Sequence, residues 1–224
     1  LLINKLFFIV KKDTFVDVIM PNYNKGEFLE ESINSVIAQE YKNWNLFIID
    51  NLSEDNSKKI LNNYKHKYNN INIFYLYKNK GVAFSRNLGI RLSKSEYISF
   101  LDSDDYWSPN KLKDQIYFMK ESKEVFSYTD YTPFFLRKDK KIYKESVITP
   151  NFVNYDQFIN DTCIATSSMM IKRSFIGEIK FPNINLEDYA FKSKILKKGC
   201  MAVKAENNST FYRITKNSLS SNKF

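Results

Sequence analysis

Three short polar clusters carry residues suited to chemistry: Pro21-Asn22-Tyr23-Asn24, Asp50-Asn51-Leu52-Ser53-Glu54-Asp55 and Asp102-Ser103-Asp104-Asp105. The third makes the strongest demand on its surroundings. Three carboxylates within four residues repel one another unless a cation neutralises them. Hard oxygen donors suit Mg²⁺ or Mn²⁺, which commonly take one or two carboxylates and complete their shell with substrate phosphates. A solvated acidic turn ahead of a helix is the alternative reading of the same triplet. In the second cluster Ser53 or Asp55 equally suits a helix cap, and Tyr23 equally suits the core. Glu187-Asp188 adds a candidate base, because an ionised carboxylate within reach of an acceptor hydroxyl takes its proton as that hydroxyl attacks. Charge at a helix N-terminus is the alternative there.

These clusters need a scaffold that brings them together, and hydrophobic periodicity supplies one. Phe15 to Met20, Leu46 to Ile49, Ile71 to Leu76 and Tyr97 to Leu101 read as strands. Between them Leu29, Ile33, Val36 and Ile37 mark a helix face, as do Ile60, Leu61 and Tyr64, and Ala83 to Leu92 forms a third helix. A fourth follows Ser108-Pro109, with Ser108 as N-cap, Pro109 in the first turn and Leu112, Ile116 and Met119 facing inward. The alternation predicts an α/β fold with a parallel sheet and right-handed crossovers. Each polar cluster follows a strand, so all three share the carboxyl edge of the sheet, where such folds bind ligands. Regularity fails after Val125 to Tyr128. Residues 131 to 147 read as a ribbon with Arg137 to Lys141 at a solvated tip. A short helix Tyr155 to Asn160, a strand Met169 to Ile171, a helix Asp188 to Lys198 and a strand Thr210 to Arg213 complete a mixed second half.

Composition excludes several classes. With 224 residues, 43% hydrophobic and 16% aromatic, the chain can bury a substantial core, and no apolar run approaches a membrane span. The net charge of +9 comes from Lys rather than Arg and accompanies abundant Asn, Ile, Tyr and Phe, a skew that AT-rich coding produces, so no nucleic-acid partner is expected. With only five Arg in the chain, Arg86 and Arg213 become informative. Cys163 and Cys200 lie far apart, form no zinc or disulfide spacing, and suit a reducing compartment. The opening LLINKLFFIVKK lacks a secretory cleavage site and reads as a packed tail or extra strand. The alternative is an interfacial segment burying Phe7 and Phe8, with Lys11 and Lys12 at the headgroups.

The segments VDVIMPNYNKGEFLEESINSVIAQEYKNWNLFIIDNLSEDNS, NKGVAFSRNLGI and YISFLDSDDYW occur in an order and at intervals that resemble the nucleotide-binding half of family 2 glycosyltransferases of GT-A fold. SSMMIKRSFIG, FPNINLEDYAFKSKILKKG and FYRITKNSLSSNK are similar to the second half of bacterial enzymes that build teichuronic acid and lipopolysaccharide. The resemblance implies one domain over residues 1–224, with a donor half at 15–128 and an acceptor half at 129–224. It implies an inverting, Mn²⁺- or Mg²⁺-dependent transfer from a nucleotide sugar. Tyr23 would stack near the base, Asp50 and Asn51 face its edge, Asp102 meet the ribose or metal and Asp104 coordinate the ion. Pro21, Asn24, Ser103 and Arg86 would join the nucleotide-sugar site, and Asp188, beside Glu187, would be the catalytic base.

Two departures from the family pattern bear on specificity. Asn51 stands where uridine-using relatives often have Asp, and its amide fits uracil, thymine or cytosine edges, which leaves the donor base open, with UDP favoured and dTDP next. Tyr212-Arg213-Ile214-Thr215 replaces a Tyr-Arg-x-His tail, which passes phosphate contact to Arg213, Lys216 or Ser218; the sole histidine, His66, reads as a surface residue. No Gln-x-x-Arg-Trp signature of the processive members occurs. The resemblance therefore implies single addition to an oligosaccharide or lipid-linked acceptor at the cytoplasmic membrane face, where each basic residue near an anionic leaflet contributes about 1 kcal/mol. A nucleotidyltransferase and a non-catalytic nucleotide-binding module are the rival readings; the former usually carries a Gly-rich loop where Pro21-Asn22-Tyr23-Asn24 stands.

Overall fold

The alternation read from the sequence is realised as a doubly wound sheet. A computed structural model describes residues 14–215, so the opening segment and the Lys216 and Ser218 expectations lie outside the described residues. In chain order the elements are β1 (Val16–Asn22), α1 (Gly26–Ile37), β2 (Trp44–Asp50), α2 (Ser57–Lys65), β3 (Ile71–Tyr75), α3 (Gly81–Leu92), β4 (Tyr97–Phe100), β5 (Tyr106–Trp107), α4 (Lys111–Ser122), β6 (Phe126–Tyr128), β7 (Tyr131–Arg137), β8 (Lys140–Tyr143), β9 (Phe152–Val153), α5 (Tyr155–Asn160), β10 (Met170–Lys172), α6 (Arg173–Ile176), α7 (Glu187–Leu196), β11 (Ala202–Lys204) and β12 (Thr210–Arg213). A 3-10 turn at Thr166–Ser168 precedes β10.

The main sheet runs β3-β2-β1-β4-β10-β6-β11-β9. β3, β2, β1 and β4 pair in parallel, whereas β10 is antiparallel to both β4 and β6. Strand order reverses between β1 and β4, which opens a crevice beyond their carboxyl ends. Period-two alternation assigns the two faces of the sheet. Val16, Val18, Met20, Leu46 and Ile48 pack with Leu29, Ile33 and Val36 of α1, Ile60 and Leu61 of α2, and Leu112, Ile116 and Met119 of α4. Ile19, Ile49, Ile98 and Phe100 pack on the other side with Ala83 of α3 and Phe191, Ile195 and Leu196 of α7. Because both faces are covered, β1 and β4 are apolar nearly throughout, as parallel strands require.

One residue inside β1 breaks that pattern. Asp17 is buried and accepts from Ser93 Oγ (2.6 Å), the Lys94 and Ser95 amides (2.8 and 2.9 Å), Ser95 Oγ (2.6 Å) and Asn45 (2.8 Å). Burial pushes its pKa up, but these donors outweigh burial and hold it below the ordinary value. It thereby ties the end of α3 to the entry of β4.

A second sheet, β5-β12-β7-β8, joins the expected ribbon to the last strand and to Tyr106–Trp107. The ribbon turns at Lys138 and Asp139, both at positive φ, as a two-residue hairpin requires. The sequence reading did not anticipate β5, β9, β11 and α6, because two to four residues are too short for a period to register. The fourth helix also starts later than expected. Asn110 is its N-cap, and Ser108 Oγ donates to Asn110 Oδ1 (2.7 Å) instead of capping the helix itself. Among the described residues no helix is long and apolar enough to cross a membrane.

α3 must lie close on β1 to bring Arg86 to the sheet edge. A Cβ added at Gly89 would meet Ile19 Cγ2 at 2.5 Å. Alanine gains about 1 kcal/mol of helix propensity there, whereas overpacking costs about 1–3 kcal/mol. Gly89→Ala is expected to lower stability by up to about 2 kcal/mol in urea unfolding; a more stable variant would contradict this packing.

Candidate active site

The first two clusters form a cross-braced floor. Asn22, at the end of β1, donates through Nδ2 to Asp50 Oδ1 (2.8 Å) and to Ser53 Oγ (3.2 Å). Ser53 Oγ accepts the Asn24 amide (3.0 Å), and Asn24 Oδ1 accepts the Glu54 amide (2.8 Å). Asp50 is 0% exposed and also accepts the Ser53 amide (3.1 Å), so it sets loop geometry from within. Asn51, likewise buried, donates to Asn79 Oδ1 (2.8 Å) and accepts the Lys80 amide (2.8 Å), which shapes the entry of α3. Asp55 accepts the amides of Gly26 (2.8 Å) and Ser57 (2.9 Å), serving the starts of α1 and α2 together, while Ser53 caps neither. Tyr23 is 45% exposed beside this floor, which sets aside its reading as a core aromatic. Pro21 is buried within β1.

The acidic loop after β4 gives each of its carboxylates partners of its own. Asp102 Oδ1 receives Arg86 (2.7 Å), and Asp104 Oδ2 receives Lys25 Nζ (2.6 Å). Asp105 is buried, accepting Ser167 Oγ (2.6 Å) and the Arg213 amide (2.8 Å). Burial first, then the charges of Asp104 and Asp102, push its pKa well above the ordinary carboxylate value. Arg86 and Lys25 thus offset the charge of two of the carboxylates, whereas Asp105 still feels the other two. Ser103 is buried, and its carbonyl accepts Ser32 Oγ (2.9 Å) of α1.

Arg86 lies at the centre of the site. It is 4% exposed, packs its guanidinium over Phe181 (5.3 Å) and donates to Asp102 Oδ1 and Glu187 Oε1, both at 2.7 Å. Its neighbour Asn87 exchanges two hydrogen bonds with the Phe181 backbone (2.8 and 2.9 Å), anchoring the segment that leads to Glu187. Asp188 accepts Lys192 Nζ (2.8 Å) and Thr166 Oγ1 (3.0 Å). Burial raises its pKa, but the charge and hydrogen bond of Lys192, then the charge of Arg86, outweigh it and hold the carboxyl well below the usual range. Asp188 is therefore ionised at neutral pH.

Arg213, expected at phosphates, is turned inward. It is 3% exposed, donates through Nε to the Asp104 carbonyl (2.7 Å), pairs with Glu31 and lies between the rings of Phe28 (4.4 Å) and Phe134 (4.5 Å). Its donors brace the acidic loop from behind. Sequence reasoning did not single out Lys25, Glu31, Thr166, Ser167 or Lys192. Only the i,i+4 spacing of Asp188 and Lys192 carried a readable signal.

Asp102 and Asp104 remain partly exposed oxygen donors at the crevice. Among the described residues no group of three or more His, Cys, Asp or Glu converges to hold a metal. The donor set thus fits a divalent ion that takes one or two carboxylates and draws its other ligands from phosphate and water, not an all-protein cage.

Comparison with known proteins identifies the fold and the family. The fold is similar to that of S. aureus TarS 1–349 in complex with UDP-GlcNAc (TM-score 0.77, 19% identity, 95% of this chain and 62% of that one). It is also similar to the mannosyltransferase PcManGT from Pyrobaculum calidifontis in complex with GDP-Man and Mn²⁺ (TM-score 0.71, 15% identity, 94% and 60%). This chain therefore spans about three fifths of those solved structures. In sequence it is 36% identical over 211 residues to the UDP-Glc:alpha-D-GlcNAc-diphosphoundecaprenol beta-1,3-glucosyltransferase WfaP of Escherichia coli, covering 93% of this chain and 81% of that protein. The model for Glycosyl transferase family 2 matches residues 17–179. With an open α/β sheet, an acidic loop at its switch point and a carboxylate pair linked to that loop, the chain belongs to glycosyl transferase family 2.

Proposed function

We propose that this glycosyltransferase moves a sugar, with inversion, from a UDP-sugar to a hydroxyl of a lipid-linked or surface-polysaccharide acceptor. The observation that carries the reading is Arg86 bridging Asp102 and Glu187 at 2.7 Å each, because it couples the donor-side loop to the pair containing Asp188. In this reading residues 15–128 form a donor half and 129–224 an acceptor half of one domain. The UDP-sugar donor and diphosphoundecaprenol-linked acceptor in the name of WfaP support the substrate class. Tyr23 stacks on the base, with dTDP the next donor after UDP, while Pro21, Asn24, Asp50, Asn51 and Ser103 shape the floor beneath it.

Asp188 accepts the proton of the acceptor hydroxyl while that oxygen bonds to the anomeric carbon. The nucleoside diphosphate leaves from the opposite face with the electron pair of the broken bond. A single carboxylate base with no covalent sugar intermediate gives inversion. Asp102 and Asp104 would hold Mn²⁺ or Mg²⁺, which as a Lewis acid would stabilise charge on the departing diphosphate. Glu187, neutralised by Arg86, positions the turn that carries Asp188. The net charge of +9 suits peripheral docking at an anionic cytoplasmic leaflet, where a lipid-linked acceptor resides.

A thermal-shift panel of UDP, dTDP, GDP and CDP, each with and without Mn²⁺, tests the donor assignment. A nucleotide at about 100 times its Kd adds about 2.7 kcal/mol and is expected to raise Tm by roughly 5 to 10 °C. UDP with Mn²⁺ should give the largest shift. No shift with any nucleotide would overturn the donor site and favour a non-catalytic module.

A further inference from the structure

Resting on that donor-site reading, we propose that Lys25 is an exchangeable cation of the site: it neutralises Asp104 before the donor arrives and turns to the donor diphosphate when a divalent ion takes that carboxylate. Four observations support the assignment.

The first is position. Lys25 stands immediately before α1, two residues after the exposed Tyr23 and at the mouth of the crevice, 2.6 Å from Asp104 Oδ2. Secondly, local structure does not account for a cation there. Lys25 is the N-cap residue of α1 and makes no side-chain cap, and a positive charge at a helix N-terminus opposes the helix dipole. Asp55 already serves the Gly26 amide, so the helix start has no need of Lys25.

The third observation is the strength of the pair. Lys25 and Asp104 side chains are 31% and 17% exposed, and ion pairs open to solvent are individually weak. A divalent ion displaces such a partner readily. Arg86 is different, because it is enclosed between Asp102 and Glu187 over an aromatic ring. Fourthly, the third cation at the acidic loop, Arg213, is committed to Glu31 and the Asp104 carbonyl behind the loop. Lys25 brings to the crevice an ammonium on a flexible four-carbon stem with three donors, the form of cation suited to following a phosphate.

The test compares wild type with Lys25→Met and Lys25→Gln in the full chain. Binding of Mn²⁺ alone is read from the free-ion electron paramagnetic resonance signal, and UDP binding in saturating Mn²⁺ by titration calorimetry. With the competing ammonium removed, both variants should bind Mn²⁺ alone about threefold to tenfold more tightly and UDP about threefold to tenfold more weakly. Opposite signs on the two ligands are the signature, since general damage to the site would weaken both. Mn²⁺ affinity no tighter than wild type, or unchanged UDP affinity, in variants that keep the wild-type melting transition overturns the exchange role. Wild type that binds neither UDP nor Mn²⁺ overturns the donor-site reading itself, a separate result from unchanged constants in the variants. Lys25 is partly exposed, so the fold accepts both substitutions, and the melting transition of each variant checks this.

Discussion

Arg86→Ala is expected to cost about 3 kcal/mol of stability and to abolish measurable transfer. The arginine separates two carboxylates from opposite halves of the chain, and its removal leaves Glu187 enclosed without a counter-charge. Breaking a buried pair costs about 3–5 kcal/mol, and the partial exposure of Asp102 places the loss near the lower end. Arg86→Lys tests whether charge alone suffices. One ammonium cannot reproduce the planar fork that reaches both oxygens at 2.7 Å, so Lys should recover only part of the stability. Urea unfolding measures both variants. A loss below about 1 kcal/mol in Arg86→Ala would mean that the bridge is not what couples the two loops.

The second large effect is at Asp188. Asp188→Asn keeps the shape of the side chain and removes the base, so kcat should fall by about 10²- to 10⁴-fold while the UDP dissociation constant stays within about twofold. An equal loss of nucleotide affinity would instead make Asp188 part of the donor site, and retained turnover would exclude it as the base. Its pH behaviour follows from the direction of its shift. Asp188 is held below the ordinary carboxylate pKa, chiefly by Lys192 against the opposing effect of burial. Its contribution to stability is therefore fully present above the unfolded value, about pH 4, and is lost as pH falls through the folded value. For the same reason the acid limb of kcat should lie below the usual carboxylate range. Lys192→Met, by removing the ammonium 2.8 Å away, should move that limb upward in the pH–rate profile.

Much of the scaffold was legible because it rests on local periodicity. Val18 and Met20 alternate with Ile19, Leu29 and Ile33 fall one turn apart, and the polar clusters begin where apolar strands end. A parallel sheet then brings their carboxyl ends to one edge without further information. The resemblance of the quoted segments added the family, and the match over residues 17–179 agrees. Short elements such as β5 and β11 escaped, since two or three residues carry no period and acquire their pairing from neighbours distant in the chain.

What the sequence by itself determined is which residues stand at the mouth of the sheet: Asn22, Asp50 and the Asp102–Asp105 loop follow apolar strands, and Glu187-Asp188 open a helix. What only the tertiary structure decided is the partner of each charge. Arg86 meets Asp102 and also Glu187, which lies 101 residues beyond Arg86; Asp104 meets Lys25; Arg213 turns away to Glu31 across 182 residues. Asp50 and Asn51, which the resemblance sets at a base edge, also hold the loops together. The physical reason is range. Side-chain period and the i,i+4 pair of Asp188 and Lys192 are set by neighbours along the chain, whereas a long-range ion pair forms only where folding brings two distant groups within about 3 Å, and no spacing in the sequence encodes that distance.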